Sequence, residues 1–169
     1  MHAGPAPDTI VLVHGSQLTP LGWERWIAYY KAQGFRALAP AHPGLDLDGF
    51  VRFLRGLDTA PILIGHAEGG AFVQILLDRG FGACGVVLNS APAEDVDFRN
   101  PRRAPLLFLS GGTDGLTPPE AHAADARRYT APGTVTEHVT FPGRSHLMPV
   151  QDGWREVADF ALAWATDPT

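Results

Sequence analysis

The sequence predicts an α/β fold, a three-layer sandwich in which a mostly parallel six-stranded sheet lies between helices. Three observations predict it. Short apolar runs alternate with amphipathic segments along the whole chain, and the connections between runs are too long for hairpins. The leading runs, such as Ile10-Val11-Leu12-Val13, are continuously apolar rather than alternating. Long connections between neighbouring strands imply crossovers and therefore parallel pairing. A strand apolar on both sides is one covered on both faces.

Taken in order, Thr9 to Val13 is the first strand, ending in His14-Gly15. Gly22 to Ala32 reads as a helix with Trp23, Trp26, Ile27 and Tyr30 on one face, and Gly34 stops it. Phe35 to Ala39 is the second strand, closed by Pro40. Asp46 or Asp48 caps the next helix, which carries Phe50, Val51, Phe53 and Leu54. Pro61 to Ile64 is the third strand; the turn Gly65-His66-Ala67-Glu68-Gly69-Gly70 follows, and a helix runs from it to Arg79. Gly85 to Leu88, Pro105 to Leu109 and Val135 to Phe141 are the remaining strands, with helices over Pro119 to Tyr129 and Trp154 to Trp164. Residues 92–104 hold both signs of charge and two prolines; they read as an ordered surface excursion inside a single domain spanning 1–169.

Composition narrows the function. A chain of 169 residues with 45% apolar content can bury a sizeable core. The formal charge of −5 and the absence of a basic patch argue against nucleic acid as a partner. No apolar segment reaches the roughly 18 residues of a membrane helix, and Met1 to Asp8 lacks the features of a signal peptide. Lys31 is the only lysine, a bias typical of GC-rich bacterial genomes, so the expected compartment is the bacterial cytoplasm. The single cysteine, Cys84, excludes an internal disulfide and reads as a buried, inert thiol. No cofactor or metal is expected, the expected partner is a small molecule, and the oligomeric state is open.

In open parallel sheets ligands bind at the carboxyl ends of the strands, so the residues that follow each strand are where chemistry is sought. After the first strand, His14-Gly15-Ser16-Gln17 suits a loop that turns a backbone N–H toward a developing oxyanion; His14 itself reads as a packed histidine. After the third, Gly65-His66-Ala67-Glu68-Gly69 has the glycines of G-x-S-x-G around a central alanine. After the fifth, Gly111-Gly112-Thr113-Asp114 offers a carboxylate, and after the sixth, Pro142-Gly143-Arg144-Ser145-His146 offers an imidazole. Each alone has an ordinary reading as a glycine-rich turn, a turn aspartate or a surface histidine. Together they stand in the order nucleophile position, acid, base, each behind its own strand.

On these residues, and over essentially its whole length, the sequence resembles the α/β-hydrolase family, as a small member without a cap domain. The resemblance implies Asp114 as triad acid, His146 as base, Ala67 at a vacant nucleophile position, and the N–H groups of Ser16 and Glu68 as the oxyanion hole. Gln17, Leu116, Leu147 and Met148 are expected near the substrate, and 92–104 stands where a lid would be inserted. An alanine cannot form an acyl-enzyme. Three readings follow: general acid/base chemistry of the lyase, isomerase or cyclase type by the His–Asp pair on a carbonyl compound; a serine esterase captured with alanine in place of its nucleophile; and a non-catalytic small-molecule-binding protein.

Overall fold

The computed structural model describes residues 6–16, 18–41 and 46–169. The strands are β1 (Thr9–Val13), β2 (Arg36–Leu38), β3 (Ile62–His66), β4 (Cys84–Leu88), β5 (Leu106–Gly111) and β6 (Thr136–Phe141). The helices are α1 (Glu24–Ala32, entered through a 3-10 turn at Pro20–Trp23), α2 (Leu47–Arg55), α3 (Glu68–Asp78), α4 (Pro119–Arg127) and α5 (Trp154–Thr166). Asp46, rather than Asp48, caps α2, its carboxylate accepting the Gly49 N–H at 2.8 Å.

All six strands are parallel, in the order β2-β1-β3-β4-β5-β6. The chain steps outward from β1 to β2 and then returns to the other side of β1. The β1–β3 boundary is therefore the topological switch point, where a crevice opens beyond the strand ends. Register places Val13 beside Gly65, so the loops after β1 and β3 leave the sheet side by side.

Strand alternation divides the core into two layers. Ile10, Leu12, Ile62, Ile64, Val86 and Leu88 face α1 and α5, meeting Trp26, Tyr30 and Val157. Val11, Val13, Leu63, Val87 and Phe108 face α2, α3 and α4, meeting Phe50, Leu76 and Tyr129. The strands β1, β3, β4 and β5 are buried along their whole length, whereas β2 and β6 are partly exposed, as edge strands must be. Cys84 lies in this core, and burial pushes its thiol pKa up to about 12. Residues 92–104 form no helix or strand; Asn100 ties them to α3 through the carbonyl and carboxylate of Asp78, each at 2.9 Å. Nothing among the described residues forms a cap domain.

β3 and β5 run two residues further than their apolar runs, ending on His66 and Gly111, because the ladder continues through polar side chains that find buried partners. Ser110 shows how. The Ser90 N–H donates to His122 Nε2 at 3.1 Å, so that nitrogen carries no proton and the neutral ring's hydrogen sits on Nδ1. His122 Nδ1–H then donates to Ser110 Oγ at 2.8 Å, and the Ser110 hydroxyl donates to His138 Nε2 at 2.8 Å. A proton added to His122 would destroy the first of these bonds.

Burial, with a smaller push from neighbouring His138, lowers the His122 pKa to about 3. Above pH 6.5 the ring is neutral folded or unfolded, and the difference vanishes. As pH falls below 6.5 the unfolded chain takes a proton that the folded chain refuses, so stability drops. By pH 5 this amounts to about 2 kcal/mol for His122. The urea midpoint measured from pH 7 to 5 should fall, and His122→Gln, whose amide can still accept and donate, should flatten the slope. An unchanged slope in that variant would show that His122 is not the group being titrated.

Candidate active site

Ala67 joins β3 to α3 at φ 54° and ψ −121°. That is the mirror image of the first central position of a type II turn, a region that favours glycine. For alanine it costs on the order of 1–3 kcal/mol. The turn is held by the Ala67 N–H donating to Leu88 O at 3.2 Å, and by the Ala67 carbonyl accepting from Gly70 and Ala91, each at 2.9 Å. It is also tight: a Cβ on Gly69 would fall 2.2 Å from the carbonyl oxygen of Val13. The head of α3 therefore lies directly against the end of β1.

Asp114 follows β5, and its side chain is wholly buried. One carboxylate oxygen accepts the N–H groups of Leu116 and Thr117 at 2.8 and 2.9 Å; the other faces His146 Nδ1 at 2.9 Å. A carboxylate only accepts, so Nδ1 carries the proton and a neutral ring presents a bare Nε2. His146 lines a cavity of about 280 Å³ with Ala67, Glu68, Ala91, Leu116 and Thr117. Asp114, His146 and Ala67 thus meet at the carboxyl end of the sheet.

Two residues not singled out in the sequence hold the His146 loop. His66 Nε2–H donates to the His146 carbonyl at 2.6 Å, its ring 5.0 Å from that of His146. The Asn89 amide donates to the carbonyls of Ser145 and His146, both at 3.1 Å, while its oxygen accepts the Gly111 N–H at 2.7 Å. Burial lowers the His66 pKa to about 4, partly offset by the bond to His146. The available signal was polarity at the end of an apolar strand: His66 closes β3, and Asn89 follows β4 directly.

Glu68 opens α3, and its carboxylate reaches across the switch point to accept the Ser16 N–H at 2.7 Å. Burial pushes the Glu68 carboxyl upward. The N–H and hydroxyl of Ser16, its own backbone N–H and nearby His66 outweigh that and leave its pKa below the ordinary carboxylate value. Gly15 makes room, since a Cβ there would stand 2.6 Å from the carboxylate oxygen and 2.8 Å from the Ala67 methyl. The Ser16 N–H expected to serve an oxyanion therefore faces the Glu68 carboxylate, and the backbone N–H of Glu68 itself helps keep that carboxylate ionised. On its other side Glu68 borders a second cavity of about 510 Å³, walled by Gly15, Ser16, Leu18, Thr19 and Phe72.

The remaining expected contacts divide. Leu116 borders the smaller cavity and is 68% exposed. Leu147 is 41% exposed and lines neither cavity. Met148 is fully buried in the layer beneath α1 and α5: its N–H turns back to Ser145 O at 3.2 Å, which drives the side chain into the core rather than the site. Gln17 lies outside the described residues. His14 is buried, its Nδ1 2.9 Å from Gly15 O. Among the described residues, no group of three or more His, Cys, Asp or Glu side chains is placed to hold a metal, and no helix is long and apolar enough to cross a membrane.

No family model matches the chain, and no curated protein matches it. Solved structures do. A monoacylglycerol lipase from Paleococcus ferrophilus superposes with a TM-score of 0.79 at 17% identity, over 97% of this chain and 96% of that one. A pyrethroid hydrolase from Sphingobium faniae gives 0.72 at 17% identity, over 95% and 98%. An α/β-hydrolase enzyme from a lagoon-sediment metagenome gives 0.73 at 18% identity, over 94% and 90%. With the strand order, the turn at Ala67 and the Asp114–His146 contact, these likenesses identify the architecture: the chain has the α/β-hydrolase fold.

Proposed function

We propose that the chain is an enzyme in which His146, oriented by Asp114, moves a proton on a small carbonyl-containing molecule, in chemistry of the lyase, isomerase or cyclase type. The observation that carries this reading is the buried 2.9 Å contact between His146 Nδ1 and Asp114, beside a cavity in which residue 67 offers a methyl group and no attacking oxygen. His146 Nε2 would take a proton from the carbon next to the carbonyl; the electron pair of that C–H bond would form a C=C bond, and the C=O π pair would move onto the carbonyl oxygen. The imidazolium, held by Asp114, would then return the proton elsewhere on the molecule. The negative oxygen needs donors, and the N–H groups of Ser16 and Glu68 are the nearest backbone candidates. They can serve only when the Glu68 carboxylate is drawn off them or neutralised.

That carboxylate also favours a second reading, a binding protein that performs no chemistry, because a resident anion on these donors opposes the charge such catalysis builds. The two readings separate at His146. If His146 transfers the proton, His146→Ala should lower kcat by about 10²–10⁴-fold while KM changes little, since the interaction is made mainly in the transition state. Asp114→Asn should fall between wild type and His146→Ala. Turnover of an identified substrate decides it: equal rates in wild type and His146→Ala, with the ligand still bound, would leave only the binding protein.

The reading as an esterase with alanine at its nucleophile position has its own test. Because Glu68 covers the donors, Ala67→Ser alone should react only slowly with a fluorophosphonate probe. The double variant Ala67→Ser/Glu68→Ala should be labelled at least about tenfold faster, a difference of roughly 1.4 kcal/mol in barrier. Rapid labelling of the single variant, with no gain in the double, would show that the carboxylate does not obstruct the position.

A further inference from the structure

Among the described residues, Glu68 is the one common to both cavities. On one side lies His146; on the other, the larger space walled by Leu18 and Phe72. Among the described residues, no lysine or arginine lines either cavity. The hydrogen bonds that Glu68 receives keep it ionised but bring no positive charge. Gly15 leaves the volume into which the carboxylate settles, so this position is built into the loop and does not depend on a stray rotamer. The result is a solvent-exposed anion with no lysine or arginine beside it among the described lining residues, at the junction of an apolar chamber and a proton-moving histidine.

We propose that the site takes a small organic cation, with its ammonium group paired to the Glu68 carboxylate and its apolar body in the cavity walled by Leu18 and Phe72. The carboxylate attracts the ammonium at the cavity rim, and the apolar walls reward a hydrophobic body on the same molecule. Anionic ligands meet the reverse, a like charge where they would need a donor. The proposal rests on the proton-transfer reading in one respect, since a bound cation answers the difficulty Glu68 poses there. An ammonium beside the carboxylate neutralises the charge next to the carbonyl oxygen. It also competes with the Ser16 N–H for the same oxygens, leaving that donor for the substrate. A molecule carrying both an amine and a carbonyl therefore suits the site better than a simple ester. Glu68 on this view sets specificity, and His146 does chemistry.

The experiment compares three probes of one shape: phenethylammonium, phenethyl alcohol and phenylacetate. Each is titrated by calorimetry, or by backbone amide shifts, into wild type, Glu68→Gln and His146→Ala. In wild type the ammonium should bind at least about tenfold tighter than the alcohol, and phenylacetate weakest. Glu68→Gln keeps an acceptor for the Ser16 N–H but loses the charge, so the three affinities should converge to within about threefold. His146→Ala should keep the wild-type order, because the cation is held by Glu68. Raising the salt to about 0.5 M should shrink the preference in wild type, an independent readout should the Gln variant fold poorly. Binding of phenylacetate as tight as the ammonium, a preference that survives Glu68→Gln, or no binding of the ammonium would overturn the proposal. The order holding while His146→Ala leaves turnover of an identified substrate unchanged would instead remove the proton-transfer reading and leave the cation site standing.

Discussion

The site depends on one strained turn. Ala67 occupies backbone space suited to glycine, and the fold holds it there from several directions: Leu88 O from the neighbouring strand, the N–H groups of Gly70 and Ala91 on its carbonyl, and the closeness of Val13 to Gly69. A conformation that costs stability persists only where its surroundings determine it completely. Because the turn is so sharp, α3 begins at the mouth of the switch point, and Glu68 comes within reach of Ser16, 52 residues earlier in the chain. The same turn hands its carbonyl to Ala91, which lines the cavity beside His146. Ala67 and Glu68 wall the smaller cavity and Glu68 the larger, so relaxing the turn would reshape both.

Around that turn stands a frame of buried but uncharged polar groups. Asn89 makes three bonds to two segments, the end of β5 through Gly111 and the His146 loop through two carbonyls. His66 adds a second hold on the same loop. Ser90, His122, Ser110 and His138 form a directed chain of hydrogen bonds running away from the site toward β6. Neutral partners suit this role, since none carries a charge that burial would penalise. Glu68 is instead kept at the cavity edge, where its charge can act on a ligand.

Much of this was legible in the sequence, and the boundary of what was not has a physical cause. Periodicity and punctuation revealed the strands, since an apolar run such as Ile62-Leu63-Ile64 followed by glycines has few alternatives. Asp114 and His146 were legible because each follows its own strand, and parallel strands bring their ends together. Side-chain direction was not legible. Met148 is apolar and two residues from His146, which suggests the pocket, but a turn at Ser145 sends it into the core. Glu68 was expected to lend only its backbone N–H, yet what its carboxylate touches depends on Gly15 and Ser16. His66 and Asn89 were passed over because their work is done on the backbone of a distant loop, and no local pattern announces such a partner.

The burial of Cys84 has a use of its own. It is the chain's single thiol, it starts β4 in the middle of the sheet, and burial holds it in the unreactive protonated form. Only the thiolate alkylates at an appreciable rate. Modification of the intact protein therefore waits for α5 to lift from the sheet, because the sulfur lies beneath that helix with its S–H toward the Ala165 carbonyl at 3.5 Å, while movement of the cavity loops leaves it covered. The molecule carries an internal clock for the lifting of that helix, deaf to the motions at the other end of the sheet through which a ligand would enter.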